Sequence, residues 1–200
     1  MDPLADLAYL LLEIGRALDG PETLRAQQQL ERASDVVRSY TGQQFTRVED
    51  DVAVLSVDRG QVVLPQWPNE KPTLIEYADG SGVVGAGSWW WGGVGVVDLS
   101  PPSWVANGPS WPSRRVESVR VTYTHGYAQI PGDVQGIVAG MVARVVAVPG
   151  LMPGLKDGAV DDFRFSLGGN LTTGSIALTP GEMQQLDAYR RRVRSVGLSA

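Results

Sequence analysis

Residues 119–146, Val119-Arg-Val-Thr-Tyr-Thr-His-Gly-Tyr-Ala-Gln-Ile-Pro-Gly-Asp-Val-Gln-Gly-Ile-Val-Ala-Gly-Met-Val-Ala-Arg-Val-Val146, decide the fold. Val119, Val121 and Tyr123 alternate with Arg120, Thr122 and Thr124, the two-residue period of a half-buried strand. Gly126 permits a chain reversal that a side chain would resist. Asp133 is placed to cap a helix on which Val134, Ile137, Val138, Met141, Val142, Val145 and Val146 share one stripe. Pro149-Gly150 stops that helix. A β region therefore passes into a helical one between residues 125 and 133.

On the N-terminal side, residues 44–127 change character from what precedes them. All six Trp lie between Trp67 and Trp111, and short alternating runs recur. Val52–Val57, Val62–Leu64, Thr73–Tyr77 and Val116–Thr124 are the expected strands, with Asp58-Arg-Gly60 as a hairpin turn between the first two. Residues 80–95 and 100–112 are too rich in Gly, Pro and Ser for an expectation of regular structure. Residues 1–43 read as a helical hairpin. Leu4, Leu7, Ala8, Leu11 and Leu12 mark its first stripe, and Leu24, Leu30, Ala33, Val37 and Tyr40 its second. Pro21 opens the second helix and Gly42 ends it.

Beyond the central helix, Phe163-Arg-Phe-Ser-Leu167 alternates as a strand or extended arm. Thr179-Pro-Gly-Glu182 is a capping box for a last helix carrying Met183, Leu186, Tyr189 and Val193. Residues 128–200 thus complete the helical part with an arm and a tail. The expected fold class is α+β: a bundle of two N-terminal helices, a central helix and a C-terminal helix, with a small antiparallel β subdomain inserted.

Bulk properties narrow the function. The 200 residues contain no cysteine, so disulfides, thiol catalysis and cysteine zinc sites are excluded. A net charge of −5 argues against general nucleic-acid affinity, yet suits a wall past which DNA must slide. No apolar run approaches the roughly 20 residues of a membrane span. The Met-Asp-Pro start lacks the basic residues of a signal peptide, so intracellular synthesis is expected.

Chemistry-bearing patterns are sparse. His125 is the one histidine, expected as a polar residue at a strand-to-turn corner bonded to nearby backbone, since no Gly-x-Ser-x-Gly elbow accompanies it. Glu49-Asp50-Asp51 and Asp161-Asp162 are expected as solvated loops. The glycines between Gly80 and Gly93 lack the Lys and helix start that phosphate cradles need. No catalytic, metal or cofactor residue is assigned. Trp89-Trp90-Trp91 cannot all face one core, which leaves three readings: a protein interface, local packing, or a sugar-stacking surface. Arg190, Arg191, Arg192 and Arg194 combine favourable charge at a helix C-terminus with a docking surface for acidic protein, and the small-residue tail through Leu198 suits an arm that orders on binding. Gly136, Gly140, Ala143 and Ala147 form a second strip on the central helix, so Ile137, Gly140, Met141, Val145, Leu186 and Tyr189 are the expected helix-packing positions.

Four stretches together resemble the head-to-tail adaptor (head-tail connector) family of long-tailed bacteriophages: Ala33-Ser-Asp-Val-Val-Arg-Ser-Tyr-Thr-Gly-Gln-Gln-Phe45, the Val-x-Val-x-Tyr-x-His-Gly-Tyr strand of 119–127, Ile130-Pro-Gly-Asp133, and Tyr189-Arg-Arg-Arg192. The resemblance covers about half the chain, leaving 79–112 without a counterpart. It implies a non-enzymatic virion protein, made in the bacterial host cytoplasm and placed at the head-tail interface. It also implies a homo-oligomeric ring, commonly of twelve copies, beneath the portal protein. Such a ring extends the channel for double-stranded DNA and offers a platform to a downstream stopper or tail protein, with no membrane involved. A different connector ring (stopper or tail terminator) and a carbohydrate-binding module built on the Trp loop are the competing expectations.

Overall fold

The computed structural model describes residues 2–58, 60–93, 95–99, 114–146, 157–160, 163–166 and 176–190. The chain divides into two compact units, one of residues 1–43 and 130–200, the other of 44–129.

The first unit holds α1 (Leu7–Ile14), α2 (Gly20–Thr41), α3 (Gly132–Val146) and α4 (Pro180–Leu186), with a hairpin of β7 (Asp157–Val160) and β8 (Phe163–Ser166). Local chemistry fixes the helix ends. Asp6 caps α1, whereas Asp19 with Glu22 and Thr179 with Glu182 form reciprocal capping boxes on α2 and α4. Gly15 and Gly42 close α1 and α2 in the left-handed conformation, with φ of 71° and 69°. Ala26, Leu30, Ala33, Val37, Val134, Ile137, Val138, Met141, Leu10 and Leu186 supply the apolar interior. Ser34 is buried among them because its hydroxyl accepts the N–H of Leu4 at 2.8 Å and donates to the carbonyl of Leu30 at 2.6 Å.

The second unit is one antiparallel sheet. Its strands are β1 (Val48–Asp58), β2 (Gln61–Val63), β3 (Leu74–Tyr77), β4 (Trp90–Trp91), β5 (Val96–Asp98) and β6 (Arg114–His125). Their order is β3-β6-β1-β2-β5-β4. Val57, Val62, Leu64, Ile75, Val84, Val97, Leu99, Val119, Val121 and Tyr123 form its core, with Ala53, Leu55, Tyr77, Trp89 and Trp91 packed against them.

The expected helical bundle with a small β insert is overturned by this arrangement. The sheet has six strands, two of them eleven and twelve residues long. Among the described residues the helices are two longer ones of 22 and 15 residues and two of only eight and seven. The sheet outgrew its expectation because β1 starts at Val48 and runs through Glu49-Asp50-Asp51, an acidic stretch that looks like a loop. A bulge there, with Asp50 at φ 50°, lets the charges enter a strand. The Gly-rich run after Tyr77 also contributes β4 and a bridge between Glu76 and Val83.

Smaller differences have the same local character. In α1 the buried residue is Leu10, and Leu12 is 83 % exposed; in α2, Leu24 is 64 % exposed. Asp133 lies inside the first turn of α3 rather than before it. The last helix ends at Leu186, so Tyr189 sits in the turn that follows.

Candidate functional site

The residues that stand out in the β unit gather where β1 begins and β6 ends. Alternation sends Val119, Val121 and Tyr123 inward, and His125 continues that row at 2 % exposure. Its Nε2 lies 3.1 Å from Oδ2 of Asp51, while Oδ1 of Asp51 accepts the N–H of Val52 at 2.9 Å. The histidine therefore meets a carboxylate across the strand pair, not nearby backbone. Among the described residues, Nδ1 of His125 meets no hydrogen-bond partner and no hydroxyl bonds to the ring. No group of three metal-ligating side chains occurs among the described residues either. The contact between the buried imidazole and the Asp51 carboxylate ties the start of β1 to the end of β6.

The next two residues complete a corner. Gly126 has φ 86°, and a Cβ there would run into the backbone of Thr46. Its N–H donates to the carbonyl of Pro68 at 2.8 Å, and that of Tyr127 to the carbonyl of Phe45 at 2.8 Å. The rings of Phe45 and Tyr127 stack with centroids 6.1 Å apart. The His-Gly-Tyr sequence thus joins the outgoing chain to the incoming one within this unit.

The tryptophans divide by strand alternation. Trp91, opposite Val97, packs against the sheet core, as does Trp89. The ammonium of Lys71 stands 5.4 Å from the Trp89 ring centroid. Trp90, opposite Asp98, points the other way and is 66 % exposed. Trp67 is exposed as well, at 45 %, and Trp104 and Trp111 lie outside the described residues.

In the helical unit, α4 and the turn after it are held by polar contacts that periodicity does not reveal. The Tyr40 hydroxyl donates to Oδ1 of Asp187 at 2.8 Å, and the Arg190 guanidinium lies 5.1 Å from the Tyr40 ring centroid. The hydrogen bond to Asp187, followed by burial, raises the Tyr40 pKa above that of an ordinary phenol. Tyr189 donates to the Asp133 carboxylate at 2.7 Å, and Arg144 pairs with Glu182 at 2.7 Å. Beside these contacts lies an open groove of about 580 Å³, lined by Val36, Tyr40, Ile176, Leu178 and Met183 among others.

Of the expected helix-packing residues, Ile137, Met141 and Leu186 are buried, while Val145 and Tyr189 are half-buried. Gly140 meets only the Arg144 side chain, at 3.9 Å, so no helix backbone closes on it among the described residues. Arg190 is described, whereas Arg191, Arg192, Arg194 and Leu198 lie outside the described residues.

No protein-family model matches the sequence, and no curated protein matches it. Solved structures do. The fold is similar to a chain in the neck of an empty gene transfer agent particle computed with C6 symmetry, at a TM-score of 0.51 and 16 % identity, covering 95 % of this chain and 90 % of that one. It is also similar to a chain in the neck of the native particle computed with C12 symmetry, at 0.50 and 20 % identity over 95 % and 92 % of the two chains. A chain of the native gene transfer agent virion gives 0.52 and 18 % identity over 95 % and 90 %. At these identities the likeness establishes a shared fold.

Proposed function

We propose that this chain is a non-enzymatic structural subunit of the neck of a phage-like particle, and within the neck the head-to-tail adaptor. The supporting observation is a fold shared over 95 % of the chain with proteins of gene transfer agent necks, in assemblies computed with cyclic symmetry. Copies form a closed ring, since a rotational repeat of one unlike-surface contact generates one. The ring sits beneath the portal protein, continues its channel for double-stranded DNA and receives the next stopper or tail protein. The net charge of −5 keeps such a wall from holding phosphate backbone. The buried His125–Asp51 pair, bonded to no hydroxyl among the described residues, suits a scaffold better than a catalyst.

The test is electron microscopy of the purified chain alone and mixed with the portal encoded nearest to it. Rings stacked coaxially on the portal are the expected result. Rings seated further down the particle axis would assign the chain to a stopper or terminator instead. Single copies that ignore both portal and tail would overturn the reading.

A further inference from the structure

The open groove of about 580 Å³ in the helical unit is mostly apolar. Val36 and Tyr40 stand one turn apart on α2 and line it, and Leu178 and Met183 line it from the start of α4. Among the described residues one charged side chain borders it, Asp35. That side chain is 70 % exposed, and its Oδ1 accepts a hydrogen bond from Arg38 at 3.3 Å. The Arg38 guanidinium is 9 % exposed and also donates to the carbonyl of Asp2 at 2.6 Å. The groove thus offers an apolar floor with a carboxylate beside it.

The described residues lead to this groove and end there. Tyr40 lines it, and the Arg190 guanidinium lies 5.1 Å from the Tyr40 ring centroid. Asp187, in the same turn, accepts from the Tyr40 hydroxyl at 2.8 Å. Residues 191–200, Arg-Arg-Val-Arg-Ser-Val-Gly-Leu-Ser-Ala, follow Arg190 directly and lie outside the described residues. Along α2 the step from Tyr40 back to Asp35 is about 8 Å, a distance that three extended residues cover.

The chemistry of that segment matches what borders the groove. Val193 and Val196 are three positions apart, a spacing that shares one face in a helical turn and in polyproline II alike. Arg191, Arg192 and Arg194 flank them, and no acidic side chain occurs in 191–200. We propose that this segment seats Val193 and Val196 in the groove between α2 and α4 of its own chain, with its arginines toward Asp35. Tethering favours the chain's own segment over that of another copy, because a short link sets an effective concentration of order millimolar. The contact lies inside one chain and does not depend on ring closure. It bears on docking all the same: an acidic partner drawn to the arginines has to lift the valines from the groove.

Methionine methyl groups report the contact without any change to the groove itself. Met183 lines it, whereas Met141 is buried in the helical interior and serves as the internal control. The full chain is labelled at its methionine methyl carbons and compared by NMR with a full-length variant carrying both Val193→Ser and Val196→Ser, and with a chain ended after Arg190. Both changes should shift the Met183 signal and leave that of Met141 in place, and Asp35→Asn should move it part of the way. A peptide of residues 191–200 at millimolar concentration should return the Met183 signal of the shortened chain, and the same peptide with serine for both valines should not. An equal amount of unlabelled full chain should not return it either. A Met183 signal indifferent to the double-serine change and to the peptide would overturn the proposal. A signal restored by the equal amount of full chain would overturn it too, by giving the groove to the segment of a neighbouring copy. Neither result touches the ring reading, which microscopy decides.

Discussion

The Asp51 carboxylate reaches across the β1–β6 pair to His125, its Oδ2 lying 3.1 Å from the imidazole Nε2. The ring is buried and the acid half-exposed, so the acid is the histidine's route to a satisfied polar atom. Asp51→Ala leaves a buried nitrogen without its partner and should cost roughly 1–3 kcal/mol of stability. Asp51→Asn keeps an oxygen in reach and should cost less than half as much. Urea unfolding of the two variants, with equal slopes, checks the difference.

Two glycines with positive φ should respond unequally to alanine. Gly42, at φ 69°, faces open space, so Gly42→Ala should cost about 1 kcal/mol of backbone strain. Gly126→Ala adds a collision with the Thr46 backbone and should cost about 3 kcal/mol or prevent folding of the β unit. Thermal unfolding of both variants measures the contrast.

The tryptophans separate packing from contact. Trp90→Ser should leave stability within about 0.5 kcal/mol of the parent, because its ring lies outside the core. Trp91→Ser removes a ring packed on Val97 and its neighbours and should cost about 2 kcal/mol. Replacing all three at once would confound the two effects. Particle completion by the stable Trp90→Ser variant is the informative measurement, and a reduced yield is expected if the ring meets a partner.

Acid should loosen the start of α2. The Arg16 hydrogen bond, then the Asp19 backbone N–H, lower the Glu22 pKa to about 2 from a carboxylate's usual 4.5. A depressed pKa contributes stability that is present above about 4.5 and is lost as pH falls toward 2. Glu22 should therefore titrate late in a carboxyl NMR titration, and amides of residues 19–23 should lose protection only in that window. Arg16→Ala should move the midpoint upward toward 4.5.

Tyr40→Phe deletes the hydroxyl held by Asp187 and keeps the ring under Arg190. A loss of about 1 kcal/mol is expected, with faster hydrogen exchange confined to α4 and the turn after it.

Local signals were readable where they act locally. The Thr179–Glu182 box, the Gly42 stop and the alternation of Val119–Tyr123 each follow from a few adjacent residues, and each lies where periodicity puts it. What escaped depends on residues far apart in the chain. Asp51 enters a strand because β6 offers it a histidine 74 positions later, and no window over Glu49–Val52 contains that information. Tyr189 finds Asp133 for the same reason, 56 positions away. Trp90–Trp91 becomes a strand because β5 runs beside it, despite glycines that argue for a loop.

Thr46 and Tyr127 form a parallel bridge, and Tyr127 donates its N–H to Phe45. The β unit therefore begins and ends at neighbouring points, which makes the whole 44–129 stretch a cassette. A gap that short costs little closure entropy, whatever length of chain spans it. Genetic exchange at these two points could trade one sheet for another of different size without altering the lengths of the flanking helical segments.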